Sequence, residues 1–165
     1  MAKFTQKYAI VQLLEDLEDG YEYSSSNWPL HTTVADTFAV EWGKENLLGR
    51  LEALLNKHKS FRTKATDFEF FGPEKQVKVT LLRLNKELME LHDSVVHLLK
   101  SAGAIFNDPQ FTETGYLPHA TVQSHAYLEK GDTVTFTGLS LIDMFPNSDP
   151  YQRMVLKTME LLGNG

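Results

Sequence analysis

Hydrophobic positions along this 165-residue chain recur at two periods, near 2 and near 3.6 residues, and the two rhythms alternate without a long linker. Strand-like stretches cover about Lys7 to Leu14 and Pro29 to Val40. The segment between them, Glu15 to Asn27, is polar and holds Gly20 and the run Ser24-Ser25-Ser26. It reads as a loop, either a plain surface connection or a lid in front of the strand that follows. Leu47, Leu48, Leu51, Leu54 and Leu55 share one face of an amphipathic helix, closed by Lys57 and His58, cations that suit the negative end of its dipole. Phe61 to Phe71 and Val77 to Leu84 flank Gly72-Pro73-Glu74-Lys75 as the arms of a hairpin. Asn85 is placed to cap a second helix with the stripe Leu88, Leu91, Val95, Leu98 and Leu99, and Gly103 suits its stop. Three further strands are expected, Leu117 to Leu128, Thr133 to Phe145 and Tyr151 to Leu162, with Gly138 shifting the alternation as a bulge would. The order predicts an α+β fold over residues 1–165, with two sheets facing across a cleft.

Composition narrows the class. A hydrophobic share of 42% is that of a soluble globular protein, and the length fits one compact domain of two lobes. The absence of cysteine excludes disulfides and thiolate zinc sites and suits a reducing cytoplasm, so any metal ligand must be His, Asp or Glu. The first apolar run, Tyr8 to Leu14, ends in Glu15, Asp16, Glu18 and Asp19 rather than in a small-residue cleavage site, which makes it a strand and not a signal peptide. No apolar run approaches the roughly 20 residues that span a bilayer. A cytoplasmic monomer without a membrane partner is expected. The formal charge of −6 argues against an extended nucleic-acid surface, which needs clustered Lys and Arg, while a small or terminal phosphate needs only a local positive site.

The candidate chemistry lies in two similar tetrapeptides, His31-Thr32-Thr33-Val34 and His119-Ala120-Thr121-Val122. On a strand, residues two apart project together, so His31 pairs with Thr33 and His119 with Thr121 on one face. The opposite faces, Leu30, Thr32 and Val34, and Pro118, Ala120 and Val122, are mostly apolar and suited to burial. The looser pattern His-x-Ser-apolar also occurs at His58 and His92. His92 lies in the second helix, where an offset of two turns side chains about 200° apart, so His92 and Ser94 do not share a ligand. His92 is expected in the helix's buried stripe with a hydrogen bond, and His97 on the surface.

These two motifs, one in each half of the chain, resemble those of the two-histidine (2H) phosphoesterase superfamily, the 2′-5′ RNA ligase and cyclic phosphodiesterase group. The hairpin from Phe70 to Val79 and the helix after it resemble the family's middle region. The resemblance implies two pseudo-symmetric lobes, each an antiparallel sheet with a packed helix, facing across a central cleft. It implies His31 and His119 as acid and base, with Thr33 and Thr121 holding the phosphate. It further implies a metal-independent phosphodiesterase without a cofactor, acting on a 2′,3′-cyclic phosphate or a 2′-5′ linkage in a small nucleotide or at an RNA terminus. Two imidazoles suit such a reaction, because an ordinary pKa near 6.5 leaves one neutral and one charged around neutrality. Threonine hydroxyls can donate to the equatorial oxygens of phosphorus.

The sequence departs from commoner members after the second motif, where a basic residue often follows but Gln123, Ser124 and His125 stand. Substitute cations are Arg62, Lys64 and Lys78, with Arg62 and Lys64 carried forward as candidate substrate contacts. Trp28 and Tyr116 are candidate stacking partners for a base, as are Phe38 and Trp42, with packing as the plainer role of each. His125 is expected outside the site, since six residues of straight strand carry it roughly 20 Å from His119. A zinc site on His31 and His119 lacks the third protein ligand that catalytic zinc takes. The alternative from another class is a binding module that keeps the cleft and holds a nucleotide or phosphometabolite without cleaving it.

Overall fold

The two rhythms resolve into ten strands and two helices in a computed structural model that describes residues 6–163. The first strand, β1 (Tyr8–Leu13), pairs antiparallel with β3 (His31–Ala39) on one side and with β9 (Gly138–Asp143) on the other. With β2 (Glu22–Ser24), β6 (Ile105–Phe106) and β10 (Gln152–Glu160) these form a six-stranded sheet in the order β2-β10-β9-β1-β3-β6. The second sheet has four strands in the order β7-β5-β4-β8, built from β4 (Phe61–Phe71), β5 (Val77–Leu82), β7 (His119–Thr121) and β8 (Thr133–Phe136). Both sheets are antiparallel, and the architecture is the α+β, two-lobed one expected.

The helices form where their leucine stripes can be buried. α1 (Lys44–Leu55) buries Leu47, Leu51 and Leu55 and packs on β9 and β10. α2 (Lys86–Ser101) buries Leu88, Leu91, His92, Val95, Val96 and Leu99 and packs on β3 and on β4 of the other sheet. Asn85 caps α2, its side-chain oxygen accepting the Leu88 amide at 2.9 Å, and Gly103 beyond the end takes φ 76°, where a side chain would be strained. Both stripes enter a core that also holds Ile10, Phe38, Phe61, Phe136 and Leu141, so residues of both sheets are buried together. Truncating one such leucine costs about 2–5 kcal/mol. A second, smaller cluster lies on the other face of the large sheet: Ala9, Val11, Tyr23, Ile142 and Val155, with Leu13, Trp28 and Met144 against it.

Three sequence expectations change. The segment Glu15–Asn27 is not loop throughout, since Glu22–Ser24 forms β2 and pairs with the edge strand β10. The stretch Thr133–Phe145 is two strands in different sheets. Gly138 marks the crossing rather than a bulge, and a Cβ there would stand 3.0 Å from the Met159 carbonyl oxygen. The strand expected from Leu117 to Leu128 shrinks to His119–Thr121, because the chain turns back with the Gln123 amide donating to the Ala126 carbonyl at 2.9 Å. Among the described residues no helix is long and apolar enough to cross a membrane.

Candidate active site

Each motif opens a strand immediately after a proline-containing dipeptide, Pro29-Leu30 before His31 and Leu117-Pro118 before His119. The alternation expected of β3 and β7 is present: Leu30, Thr32 and Val34 are buried, as are Pro118 and Ala120, while His31, Thr33, His119 and Thr121 are half-buried. Strand register places His31 opposite Leu13 and Thr33 opposite Val11, the face of the large sheet turned away from the helices. His119 and Thr121 sit opposite Leu81 and Val79. β7 is the edge of the small sheet, and the fully buried Thr32 hydroxyl donates to the His119 carbonyl at 2.8 Å, joining the motifs directly.

Both imidazoles are held the same way. His31 Nδ1 lies 2.8 Å from the Pro29 carbonyl, and His119 Nδ1 lies 2.8 Å from the Leu117 carbonyl. A carbonyl only accepts, so Nδ1 carries the proton in each ring and Nε2 is the nitrogen left for chemistry. Trp28 packs against the His31 ring at 4.6 Å between centroids, and Phe71 meets His119 edge-on at 4.8 Å. Burial pushes the His31 pKa below its ordinary value, and the nearby charge of His119 pushes the same way. The bond to Pro29 and the carboxylates of Asp36 and Glu15 oppose the shift without cancelling it. His31 is thereby biased towards the neutral form, that of a proton acceptor.

Glu15 braces this arrangement from behind. Its carboxylate accepts the Leu30 amide, one residue before His31, and the same oxygen is 2.7 Å from His125 Nε2. Burial alone would raise the Glu15 carboxyl pKa, but the Leu30 and His125 interactions outweigh it and hold the group below its usual range.

A cavity of about 620 Å³ is lined by residues of both sheets, among them Thr33, Asp36, Phe71, Lys75, Tyr116 and His119, while His31 and Thr121 do not line it. One wall is made by Phe111, Tyr116 and Leu117, which belong to or directly follow two short 3-10 turns, Pro109–Phe111 and Glu113–Gly115. His92 anchors that wall from α2, its Nδ1 2.7 Å from the Val34 carbonyl and its Nε2 accepting the Glu113 amide at 2.9 Å. The ring is neutral in this arrangement, since a protonated Nε2 could not accept, and burial lowers its pKa accordingly. Tyr116 stacks on His92 at 3.8 Å and donates its hydroxyl to the Thr33 carbonyl at 2.8 Å.

The model of the 2′-5′ RNA ligase superfamily matches residues 6–135. The chain belongs to that superfamily. Among solved structures, this 2′-5′ RNA ligase superfamily member resembles a protein described as a phosphoesterase, with a TM-score of 0.59 at 15% identity over 95% of this chain and 98% of the other. It also resembles Escherichia coli LigT, solved with NADP+ (TM-score 0.57, 16% identity, 95% and 98% covered) and with 3′-AMP (0.56, 16%, 94% and 98%). TT0787 of Thermus thermophilus aligns with a TM-score of 0.57 at 15% identity over 96% and 100% of the two chains. At such identities these likenesses establish the fold. No curated protein sequence matches.

Within this superfamily fold the sequence-expected residues divide. His31, Thr33, His119 and Thr121 stand on the two strands joined at Thr32, and Tyr116 lines the cavity, its hydroxyl committed to Thr33. Trp28 packs between His31 and Tyr23, with the Arg153 guanidinium 5.9 Å from its ring, and so walls a histidine instead of presenting an open stacking face. Arg62 and Lys64 are exposed where β4 pairs with β8, and neither lines the cavity. Lys78 lies over the Phe68 ring at 4.4 Å. His125 is not stranded along a straight strand, because the turn after β7 returns it to Glu15. Sequence reasoning missed Asp36, Lys75, Phe111 and Glu15. Lys75 and Phe71 were visible only as a hairpin beside the motifs, and Phe111 had no signal. Among the described residues no three His, Asp or Glu side chains are grouped as metal ligands.

Proposed function

We propose that this protein is a phosphodiesterase that opens 2′,3′-cyclic phosphates in small nucleotides or at RNA ends, or cleaves and joins 2′-5′ linkages, with the protein's own groups as acid and base. The single observation that carries the reading is the matched pair of Nδ1 tethers, which turns the same nitrogen of each ring free on two strands tied together at Thr32. His31, biased towards neutrality, serves as base: its Nε2 takes a proton from the attacking water as oxygen bonds to phosphorus. His119 serves as acid, its Nε2 proton passing to the ribose oxygen as the phosphorus–oxygen bond breaks. Thr33 and Thr121 hold the equatorial oxygens, where charge accumulates, and one such donor in a desolvated site is worth about 3 kcal/mol. The product is a nucleoside monophosphate with one hydroxyl freed, and joining follows when a 5′-hydroxyl takes the place of water, giving up its proton to His31 as it bonds to phosphorus while the departing 3′ oxygen takes the proton of His119. The 3′-AMP bound to LigT supports a nucleotide of this kind as ligand.

The test is hydrolysis of a panel of nucleoside 2′,3′-cyclic phosphates with chelator present, by the wild type and by His31→Ala and His119→Ala. Turnover that survives chelator and disappears in both variants supports the reading. Binding of the panel without cleavage assigns the protein to the other class, a nucleotide-holding module.

A further inference from the structure

Regular alternation along β3 would send Asp36 to the side of Thr32 and Val34, into the core. It does not go there. Against β1, Val11 pairs with Thr33 but the next residue, Ile10, pairs with Ala35, so β3 carries an extra residue at this step, the first of two register shifts, and Val34 and Ala35 are consecutive yet both fully buried. The irregularity re-aims the chain, as bulges beside sites do. Asp36 is exposed and lines the same cavity as Thr33 and His119.

A carboxylate beside a phosphodiester repels it, so its place in the cavity is offset only by hydrogen-bond donors on the ligand. One Asp36 oxygen accepts the Thr37 amide at 2.8 Å, and no cation of the described residues forms an ion pair with it. Lys75, which lines the same cavity, is likewise without an ion-pair partner among the described residues and sits in the β4–β5 turn with φ 55°. The remaining walls are largely aromatic: Phe71, Tyr116, and the half-exposed Phe70 and Phe111 (48% and 50% exposed). Such rings accept any base by stacking, so discrimination falls to Asp36 and Lys75.

Guanine alone among the four common bases offers two adjacent N–H groups, N1–H and the 2-amino group, in the parallel geometry a carboxylate accepts. Adenine and cytosine present one amino group beside a ring acceptor, and uracil one N–H between two carbonyls. The guanine carbonyl O6 is an acceptor for an ammonium. The ribose diol, the other common carboxylate partner, is esterified in a 2′,3′-cyclic phosphate. We propose that this cavity is a guanine site, with Asp36 reading N1–H and the 2-amino group and Lys75 reading O6, beside the phosphate position between the histidines. The assignment rests on the phosphodiesterase reading for its substrate and extends it to a base preference.

The experiment compares kcat/KM for the guanosine, inosine, adenosine, cytidine and uridine 2′,3′-cyclic phosphates with wild type and Asp36→Asn, alongside calorimetric binding of the matching nucleoside 3′-monophosphates to the wild type. Guanosine is expected to lead adenosine, cytidine and uridine by about tenfold or more, with inosine, which lacks the 2-amino group, between them. Asp36→Asn is expected to bring the guanosine-to-uridine ratio to within about twofold of unity. Turnover with no base preference, or an Asp36→Asn loss equal for all five substrates, overturns the guanine site and leaves the phosphodiesterase standing. Guanosine-selective binding without turnover sustains the site and overturns the phosphodiesterase. Neither turnover nor binding overturns both.

Discussion

The Thr32 hydroxyl and the His119 carbonyl, 2.8 Å apart, form a side-chain hydrogen bond between the two motif strands, and neither histidine ring takes part in it. The buried link ties together the two strands that carry the rings. Replacing Thr32 with the isosteric valine removes the donor and leaves the volume, and is expected to lower stability by about 1–3 kcal/mol, read as a shifted urea midpoint with unchanged slope. A larger proportional loss is expected in kcat than in KM, since proton transfer tolerates little displacement. An unshifted midpoint would show the bond to be dispensable.

The acid limb of kcat/KM should fall below pH 6.5. On the proposed assignment His31 is the base in its neutral form, and since its burial and the charge of His119 depress its pKa, activity is expected to be lost only as pH drops through that lowered value. The Glu15 carboxylate works against the depression. Glu15→Gln is therefore expected to move the acid limb to still lower pH, measured as a displaced inflection on a cyclic nucleotide. A displacement to higher pH would contradict the base assignment.

Stability should follow the same histidines. His31 and His92 both titrate below their ordinary value when folded, while in the unfolded chain they bind protons from about pH 6.5. The unfolded state thus holds more protons below that pH, and the protein is expected to lose stability as pH falls from 6.5 towards the folded-state values, with no further loss from these groups beyond them. Urea midpoints at a series of pH values check this. His92→Gln should flatten the decline.

Gly115 is a steric requirement. A Cβ there would stand 1.9 Å from the Gln110 carbonyl oxygen, within the wall that carries Phe111 and Tyr116. Gly115→Ala must displace that segment, and is expected to raise KM several-fold while changing kcat less, since in the proposed complex the wall meets the nucleoside and not the phosphorus. Equal effects on kcat and KM would place the segment closer to the chemistry.

The expected helices, the Asn85 cap and the hairpin are all present because each depends on local rules: leucine periodicity, a side chain accepting an end amide, turn residues between apolar arms. The faces of His31 and His119 followed from the two-residue alternation for the same reason. What the sequence hid is non-local. Thr133–Phe145 alternates except for the shift at Gly138, and a shift of that kind reads as a bulge within one strand as readily as the passage at Thr137 from one sheet to the other. Asp36 was obscured by a register shift that only pairing with β1 defines. Arg62 and Lys64 meet the expectation of a cation by residue type alone, whereas Lys75 reaches the cavity from a turn. Glu15 and His125, far apart in the chain, meet only after the strand at His119 ends early.

The passage from β8 to β9 fixes how the halves of this molecule can move. Thr137 is the whole of the connection, and the Gln12 side-chain oxygen of the neighbouring strand β1 grips both its amide and that of Gly138, at 2.9 and 3.2 Å. A seam so short and so stapled leaves no slack for a hinge. On the proposed function, a nucleotide is therefore expected to enter and leave by rearrangement of side chains and rim segments, and the two lobes are expected to unfold as one cooperative body.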